Sequence, residues 1–250
     1  MEAVVLAGGL GTRLHPRVSG LPKAMAPVAG RPFLAWLLDE LADAGFRRAI
    51  LSVGHLGEAI RSAFGGTYHT LDLLYAVEAS PLGTGGALRH ALALAGPGDE
   101  PIWVLNGDSI VRLAHAEMWA AHEIRRSNPL ALTMALVSTP DAGRYGTVET
   151  REGRVTQFNP TGGRGVGIIN AGTYLLHRRI FEGGSLPPAF SFEADFLARS
   201  IDRLEIAAFA TDGWFIDIGV PADYDRAQTE LPAALSREPC PANATIRAQR

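Results

Sequence analysis

The first half of this 250-residue chain alternates short, β-rich apolar runs with amphipathic helical patterns, and that alternation leaves few folds open. A strand, a crossover helix and a second strand make a βαβ unit, so a series of them calls for a parallel sheet with helices on both faces. The strand-like runs are residues 3–6, 49–53, 71–77 and 102–105. After Pro32, the run Phe33-Leu34-Ala35-Trp36-Leu37-Leu38-Asp39-Glu40-Leu41 has proline at a helix start, apolar residues at helical spacing, and Gly45 to end it. Residues 56–64, 84–95 and 115–126 have similar helical character.

The second half changes style. Residues 130–137, 146–149, 154–158 and 168–176 are strand-like and close together, and Arg151-Glu152-Gly153 reads as a tight turn between two of them. Residues 192–200 look helical, 205–210 and 214–216 look like short strands, and Pro221 opens a last helix through Ala227. The expectation is an α/β fold with a Rossmann-like mixed, mostly parallel central sheet and helices on both faces. It forms one domain over residues 1–230, with a first half to about 128 and a second half from 129, followed by a poorly ordered tail over 231–250.

Composition narrows the function. With 47% hydrophobic residues the chain can bury one substantial core, and its net charge of −3 gives no whole-protein field that would draw nucleic acid or anionic lipid. Any anionic ligand must be held by a local site. The apolar runs are too short for a membrane span and the first residues lack a basic leader, so a cytoplasmic location without membrane attachment is expected. Cys240 cannot form an internal disulfide and reads as an inert thiol, and the Asn243-Ala244-Thr245 sequon is meaningless without secretion. The sequence leaves subunit number open and allows a homo-oligomer.

Lys23 is the only lysine among the chain's 23 basic residues. A compact ammonium in a chain otherwise given to arginine marks a place where a point charge is needed rather than a planar fork. It closes the run Gly8-Gly9-Leu10-Gly11-Thr12-Arg13-Leu14 … Leu21-Pro22-Lys23, a glycine-rich loop after the first strand. Unhindered backbone N–H groups with nearby cations make a phosphate cradle. Leu14 stands where a dinucleotide fingerprint needs its third glycine, and no Gly-Lys-Ser/Thr ending marks a Walker loop. What remains suits a triphosphate, with Arg13 forking across β and γ oxygens and Lys23 placed where the α-phosphate and an incoming phosphate crowd together.

Two carboxylates stand at strand ends. Leu105-Asn106-Gly107-Asp108 follows an apolar run at the edge where open α/β sheets bind ligands, and Asp217 sits in the apolar segment Phe215-Ile216-Asp217-Ile218-Gly219-Val220-Pro221. A Mg²⁺ ion held by one or two carboxylates plus phosphate oxygens would partner them, with a helix cap or structural salt bridge as the bland alternative.

These residues resemble the sugar-1-phosphate nucleotidyltransferases, also called nucleotide-sugar pyrophosphorylases. The likeness covers residues 1–230 and includes Gly8 to Lys23 with Met25-Ala26-Pro27-Val28, Pro81-Leu82-Gly83-Thr84-Gly85-Gly86, Asn106-Gly107-Asp108, Arg144-Tyr145-Gly146-Thr147, Asn170-Ala171-Gly172 and Asp217-Ile218-Gly219-Val220-Pro221. Within that family, Arg31-Pro32-Phe33-Leu34, Arg144 to Val148, Phe190-Ser191-Phe192-Glu193 and Phe215 to Pro221 look most like the D-glycero-α-D-manno-heptose-1-phosphate guanylyltransferases. The resemblance implies a GT-A-like nucleotide-diphospho-sugar transferase fold, Mg²⁺, and transfer of a nucleoside monophosphate from an NTP such as GTP to a sugar 1-phosphate with release of pyrophosphate.

It also implies roles, with residues 1 to about 128 as the nucleotide-binding half and about 129 to 230 as the sugar-binding half. Arg13 would hold the leaving pyrophosphate and Lys23 would bridge the α-phosphate and the attacking phosphate. Leu6, Gly8, Gly9, Gly11, Thr12, Glu78, Gly83, Thr84 and Asn106 would bind the nucleotide. Gly146, Asn170, Gly172 and Glu193 would line the sugar pocket, while Asp108 and Asp217 would bind the metal. Many relatives place Glu-Lys-Pro after the strand ending here at Phe158, whereas this chain has Asn159-Pro160. Either Arg164 substitutes for that lysine, or the loop is a solvated turn and the second cation is missing. Glu78 favours guanine, whose adjacent N1–H and N2–H donors a carboxylate can accept in pairs. Uridylyl or thymidylyl transfer to another sugar phosphate, and a non-catalytic nucleotide-sugar-binding domain, stay open.

Overall fold

Ala3, Val4 and Val5 are fully buried in β1 (Glu2–Leu6), as a strand covered on both faces must be. In the computed structural model, which describes residues 1–9, 14, 18, 20–54, 56–125, 127–128 and 130–236, this strand is the axis of the molecule. It pairs in parallel with β2 (Arg48–Val53) on one side and β4 (Ile102–Asn106) on the other, and β3 (Leu71–Val77) pairs in parallel with β2. The order β3-β2-β1-β4 therefore reverses direction at β1, which makes the carboxyl ends of β1 and β4 a topological switch point.

Helices cover both faces. Ala3 and Val5 pack into one core with Leu34, Leu38, Ile60 and Met118, from α1 (Phe33–Asp43), α2 (Gly57–Phe64) and α4 (His115–Glu123). Val4 faces the other way, into a core with Leu88 and Ala91 of α3 (Gly83–Leu92). The α1 helix buries Leu34, Leu37, Leu38 and Leu41 at helical spacing, and Gly45 at φ +81° stops it in the left-handed conformation that glycine adopts without penalty. No helix among the described residues is long and apolar enough to cross a membrane.

The second half extends the same sheet with mixed direction. Beyond β4 come β9 (Gly167–Leu176), antiparallel to it, then β6 (Ala131–Thr139), β10 (Glu205–Ala210), β8 (Arg154–Asn159) and β7 (Thr147–Arg151). The expected mixed sheet is thus present, with its parallel part concentrated in β3-β2-β1-β4 and in the pair β10-β6. Glu152 at φ 51° and Gly153 at φ 73° form the tight turn expected between β7 and β8. A short strand not legible in sequence, β5 (Ser109–Val111), pairs with β11 (Phe215–Asp217) in a separate ribbon.

Two boundaries differ most from expectation. The helical stretch at 192 is a single wide turn, Phe192–Leu197, in which the Phe196 N–H reaches back to the Ser191 carbonyl and Phe192 and Phe196 stack at 5.8 Å in the core. The last helix, α5 (Pro221–Leu235), continues well past Ala227 with Leu231 fully buried, so the tail does not begin at 231. The packing of Tyr224, Ala227 and Leu231 on one face keeps the helix going through Pro232, whose missing N–H would otherwise favour a stop. Cys240 and the 243–245 sequon lie outside the described residues.

Candidate active site

The chain leaving β1 returns to it through Lys23. The Lys23 backbone N–H points to the Gly9 carbonyl at 3.5 Å, and the short turn Lys23–Met25 buries Ala24 beneath it. The chain leaving β4 is tied to the same place, since the Gly107 N–H donates to the Leu6 carbonyl at 3.0 Å. The β5–β11 ribbon then brings in the distant segment: Asp217 lies opposite Ser109, and the Ile218 N–H donates to the Asp108 carbonyl at 3.0 Å. Residues separated by more than a hundred positions in sequence, Asp108 and Asp217, become neighbours through this backbone pairing.

Their charges converge. The Lys23 ammonium, on a side chain only 10% exposed, pairs with the Asp108 carboxylate and stands 3.8 Å from Asp217 Oδ1. Arg144, from the loop between β6 and β7, places Nη1 3.6 Å from the same Oδ1 and donates from Nη2 to the Asp217 carbonyl at 3.2 Å. Its Nη2 also donates to the Tyr145 hydroxyl and pairs with Asp223. The Gly219 N–H donates to Asp217 Oδ1. Burial, then the nearby Asp108 charge, pushes the Asp217 carboxyl above its ordinary range, while Lys23 and Arg144 pull it down. Two hard oxygen donors that repel each other suit a divalent cation that completes its shell with phosphate and water. No group of three or more His, Cys, Asp or Glu is gathered among the described residues, so protein ligands would supply only part of such a shell.

A second wall faces this cluster. The β9 strand bulges between Asn170 and Tyr174, where its register against β6 shifts. Gly172 sits in that bulge at φ +70°, so close to Asn106 that a Cβ would lie 2.7 Å from its Nδ2. Asn170 accepts from the Gly172 N–H at 3.0 Å and donates to the Tyr174 hydroxyl, which donates in turn to Glu193 Oε1 at 3.3 Å. The Asn106 side chain hydrogen-bonds the same carboxyl. Burial pushes Glu193 up, opposed by these bonds, and burial together with Glu193 carries the Tyr174 phenol well above its usual range. The network is a fixed set of amide, phenol and carboxyl groups suited to reading hydroxyls.

Several expected site residues turn out to act on the protein itself. The Thr84 hydroxyl, expected at the nucleotide, accepts the Phe192 N–H at 2.8 Å, and the Gly85 N–H donates to the Phe190 carbonyl at 2.9 Å. The start of α3 thereby anchors the turn that carries Glu193. Gly83 packs on Phe190, where a Cβ would come within 2.6 Å of its carbonyl oxygen. Gly146 lies on the Phe158 ring, and its carbonyl accepts the Asn170 N–H at 2.9 Å, so it sets the sugar wall from behind. Glu78 lies beside Gly8 at the ends of β1 and β3; its Oε2 accepts the Leu82 N–H at 3.0 Å, and Oε1 has a long contact with the Ser52 hydroxyl at 3.4 Å.

Arg13, Gly11 and Thr12 lie outside the described residues. Arg164 is exposed, on a stretch whose backbone braces residues 142–145 through the Ala142 N–H to the Gly165 carbonyl at 2.9 Å; the cation brought to the cluster is Arg144. Its sequence signal was the basic residue directly before Tyr145-Gly146, with nothing in spacing to aim it at Asp217.

A Rossmann-type sheet with a glycine loop, a lysine and paired carboxylates at its switch point, and a polar pocket opposite, defines a nucleotide-binding transferase. The chain belongs to the nucleotidyl transferase family, whose pattern matches residues 2–233. It is 41% identical over 231 residues to the D-glycero-alpha-D-manno-heptose 1-phosphate guanylyltransferase of Aneurinibacillus thermoaerophilus, covering 92% of this chain and 98% of the relative. The enzyme of the same description from Campylobacter jejuni is 36% identical, covering 90% and 97%. Among solved structures, HddC from Yersinia pseudotuberculosis complexed with GMP-PN superposes with a TM-score of 0.75 at 34% identity, covering 92% of this chain and 98% of that one.

Proposed function

We propose that this nucleotidyltransferase transfers GMP from GTP to D-glycero-α-D-manno-heptose 1-phosphate, giving GDP-heptose and pyrophosphate. The observation that carries it is the convergence of Lys23, Asp108 and Asp217 beside the Asn170–Tyr174–Glu193 pocket. The two guanylyltransferase relatives described above carry that activity in their names. A phosphate oxygen of the sugar attacks the α-phosphorus; the new P–O bond forms as the α–β bridge bond breaks, and pyrophosphate leaves with the electron pair. The nucleophile is already ionised, so no general base is needed and catalysis rests on positioning and charge.

The Lys23 ammonium sits where charge builds on the α-phosphate, held by its backbone bond to Gly9 and by Asp108. Arg13 is assigned to the leaving pyrophosphate by resemblance. Asp108 and Asp217 would hold Mg²⁺, which when bound would neutralise phosphate charge. On the far wall, Glu193, Asn170 and the Gly172 backbone read the sugar hydroxyls. Glu78 Oε1, which has only the long 3.4 Å contact with the Ser52 hydroxyl among the described residues, is the acceptor assigned to the guanine N1–H and N2–H edge. The location proposed is the cytoplasm, where both phosphorylated substrates would be made.

The test records pyrophosphate release with each ribo-NTP against a panel of sugar 1-phosphates, with Mg²⁺ and with a chelator. Release is expected with GTP and the heptose phosphate and lost on chelation. Absence of release with every GTP pair overturns the guanylyl assignment.

A further inference from the structure

Resting on this nucleotidyl-transfer reading, the cluster must hold two phosphates at once, while Lys23 supplies a single ammonium. We propose that Arg144 is the second cation, binding the phosphate of the incoming sugar 1-phosphate beside Lys23, with Asp223 and Tyr145 as its positioning residues.

Both cations aim at one point. Asp217 Oδ1 lies 3.8 Å from Lys23 Nζ and 3.6 Å from Arg144 Nη1, ion-pair separations too long for a hydrogen bond. A Cβ built on Gly219 would stand 3.0 Å from Nζ and 3.5 Å from Nη1, so the bare glycine keeps that point open between them. When Asp217 turns to a divalent cation, the two positive groups lose their shared counter-ion and a phosphate can take its place.

Arg144 is also set in advance. Its Nη2 is committed to Asp223, the Tyr145 hydroxyl and the Asp217 carbonyl, and the guanidinium carbon lies 4.2 Å from the Tyr145 ring centroid. Nη2 holds the plane in place, and Nη1 faces the cluster, where it can donate charge-assisted N–H bonds to a phosphate oxygen. The loop beneath is braced: the Tyr145 N–H donates to the Ala142 carbonyl at 3.2 Å, and Gly163 and Gly165 bond Ala142 from the neighbouring stretch. That stretch includes Arg164, one of the two alternatives for the missing lysine, and here its backbone serves as the support for Arg144.

The loop also tells which phosphate is meant. Two residues after Arg144, the Gly146 carbonyl accepts the Asn170 N–H, so this guanidinium is mounted on the wall that reads the sugar.

Steady-state kinetics with GTP and the heptose 1-phosphate test the assignment. In Arg144→Gln the KM for the sugar phosphate should rise about 10- to 100-fold, the loss of charge-assisted hydrogen bonds, while the KM for GTP moves less than about 3-fold. Inhibition by inorganic phosphate should weaken in parallel. Arg144→Lys keeps the charge without the fork and should fall between, and Asp223→Asn should raise the same KM with little change in kcat. Asp223 keeps Arg226 as a partner at 2.7 Å, so Arg144→Gln should fold, with a thermal midpoint within a few degrees of the native protein. A sugar-phosphate KM at the native level in both Arg144 variants overturns the inference while leaving nucleotidyl transfer standing. A rise in the KM for GTP in its place also overturns it, since that would put Arg144 on the leaving group. A native protein inactive with every substrate pair overturns the transfer reading itself, and the inference with it.

Discussion

Gly219 offers the sharpest test of the cluster, because the perturbation is a single methyl group. A Cβ on its backbone would lie 2.6 Å from Asp217 Oδ1 and 3.0 Å from Lys23 Nζ. Comfortable contact for a carbon is ~3.5 Å, so Gly219→Ala asks for a displacement of about 1 Å. Yielding would break the bond that Asp217 Oδ1 accepts from the Gly219 N–H and displace it from its place before Lys23 and Arg144. A misplacement of that size at a reacting centre costs on the order of 10² in rate. Pyrophosphate release at saturating substrate should therefore fall by about two orders of magnitude and need more Mg²⁺ for half-maximal rate. The methyl points into the charged cluster rather than the apolar core, so the thermal midpoint should move by only a few degrees. An alanine variant retaining half the native rate would refute the reasoning, since the carboxylate geometry described here would then be irrelevant to the chemistry.

Other outcomes can be stated more briefly. Lys23→Ala should lower kcat by ~10² to 10³, the scale for losing one transition-state donor, and Lys23→Arg should also be impaired, measured in the same assay; near-native Lys23→Arg would make the lone lysine an accident of composition. Thr84→Val should strand the Phe192 N–H that its hydroxyl now accepts and loosen the turn bearing Glu193, so the KM for the sugar phosphate should rise more than that for GTP. His115, against Phe46 and Trp103, and His122, bonded to Thr133, both have pKa values lowered by burial from 6.5 to about 4. The unfolded chain then binds more protons between those values, so stability is full above pH 6.5 and falls towards pH 4, by roughly 2 kcal/mol per histidine at pH 5. Urea unfolding of the native protein and His115→Asn at pH 7.5 and 5 checks this; an equal pH loss in both would reject the assignment to His115.

The parallel half of the fold was legible because its rules are local. Strands buried on both faces, as with Ala3 to Val5 and Ala49 to Leu51, read as continuous apolar runs, and Pro32 and Gly45 bracket α1. The β5–β11 ribbon was not legible in full. Ser109-Ile110-Val111 is too short to stand out, and its pairing with residues 215–217 is fixed only by tertiary packing. The end of α5 was missed for a different reason. Leu231 continues the face of Tyr224 and Ala227, and burial of that leucine outweighs the broken hydrogen bond at Pro232, a balance that local propensity cannot weigh.

In the site, residue types were readable and partnerships were not. Lys23, Asp108 and Asp217 were identifiable from composition and strand ends, while Thr84 and Gly146, quoted from motifs, serve as supports whose roles appear only with their partners. Arg144 stood beside Gly146 in sequence, yet its meaning depends on Asp217 and Asp223, more than 70 residues away. At rest each cation has a counter-ion, Lys23 with Asp108 and Arg144 with Asp223, and Asp217 lies within ion-pair range of both, since partly buried ions left unpaired would cost several kcal/mol each. Metal and phosphate can then enter by exchanging partners rather than by creating charge. The division of labour explains the composition: the ammonium stands at the narrow point between two carboxylates, and the guanidinium lies where a plane can stack on Tyr145 and keep one edge free. A second lysine at 144 would lose the stacking, and an arginine at 23 would have to pass the spot that Gly219 keeps open.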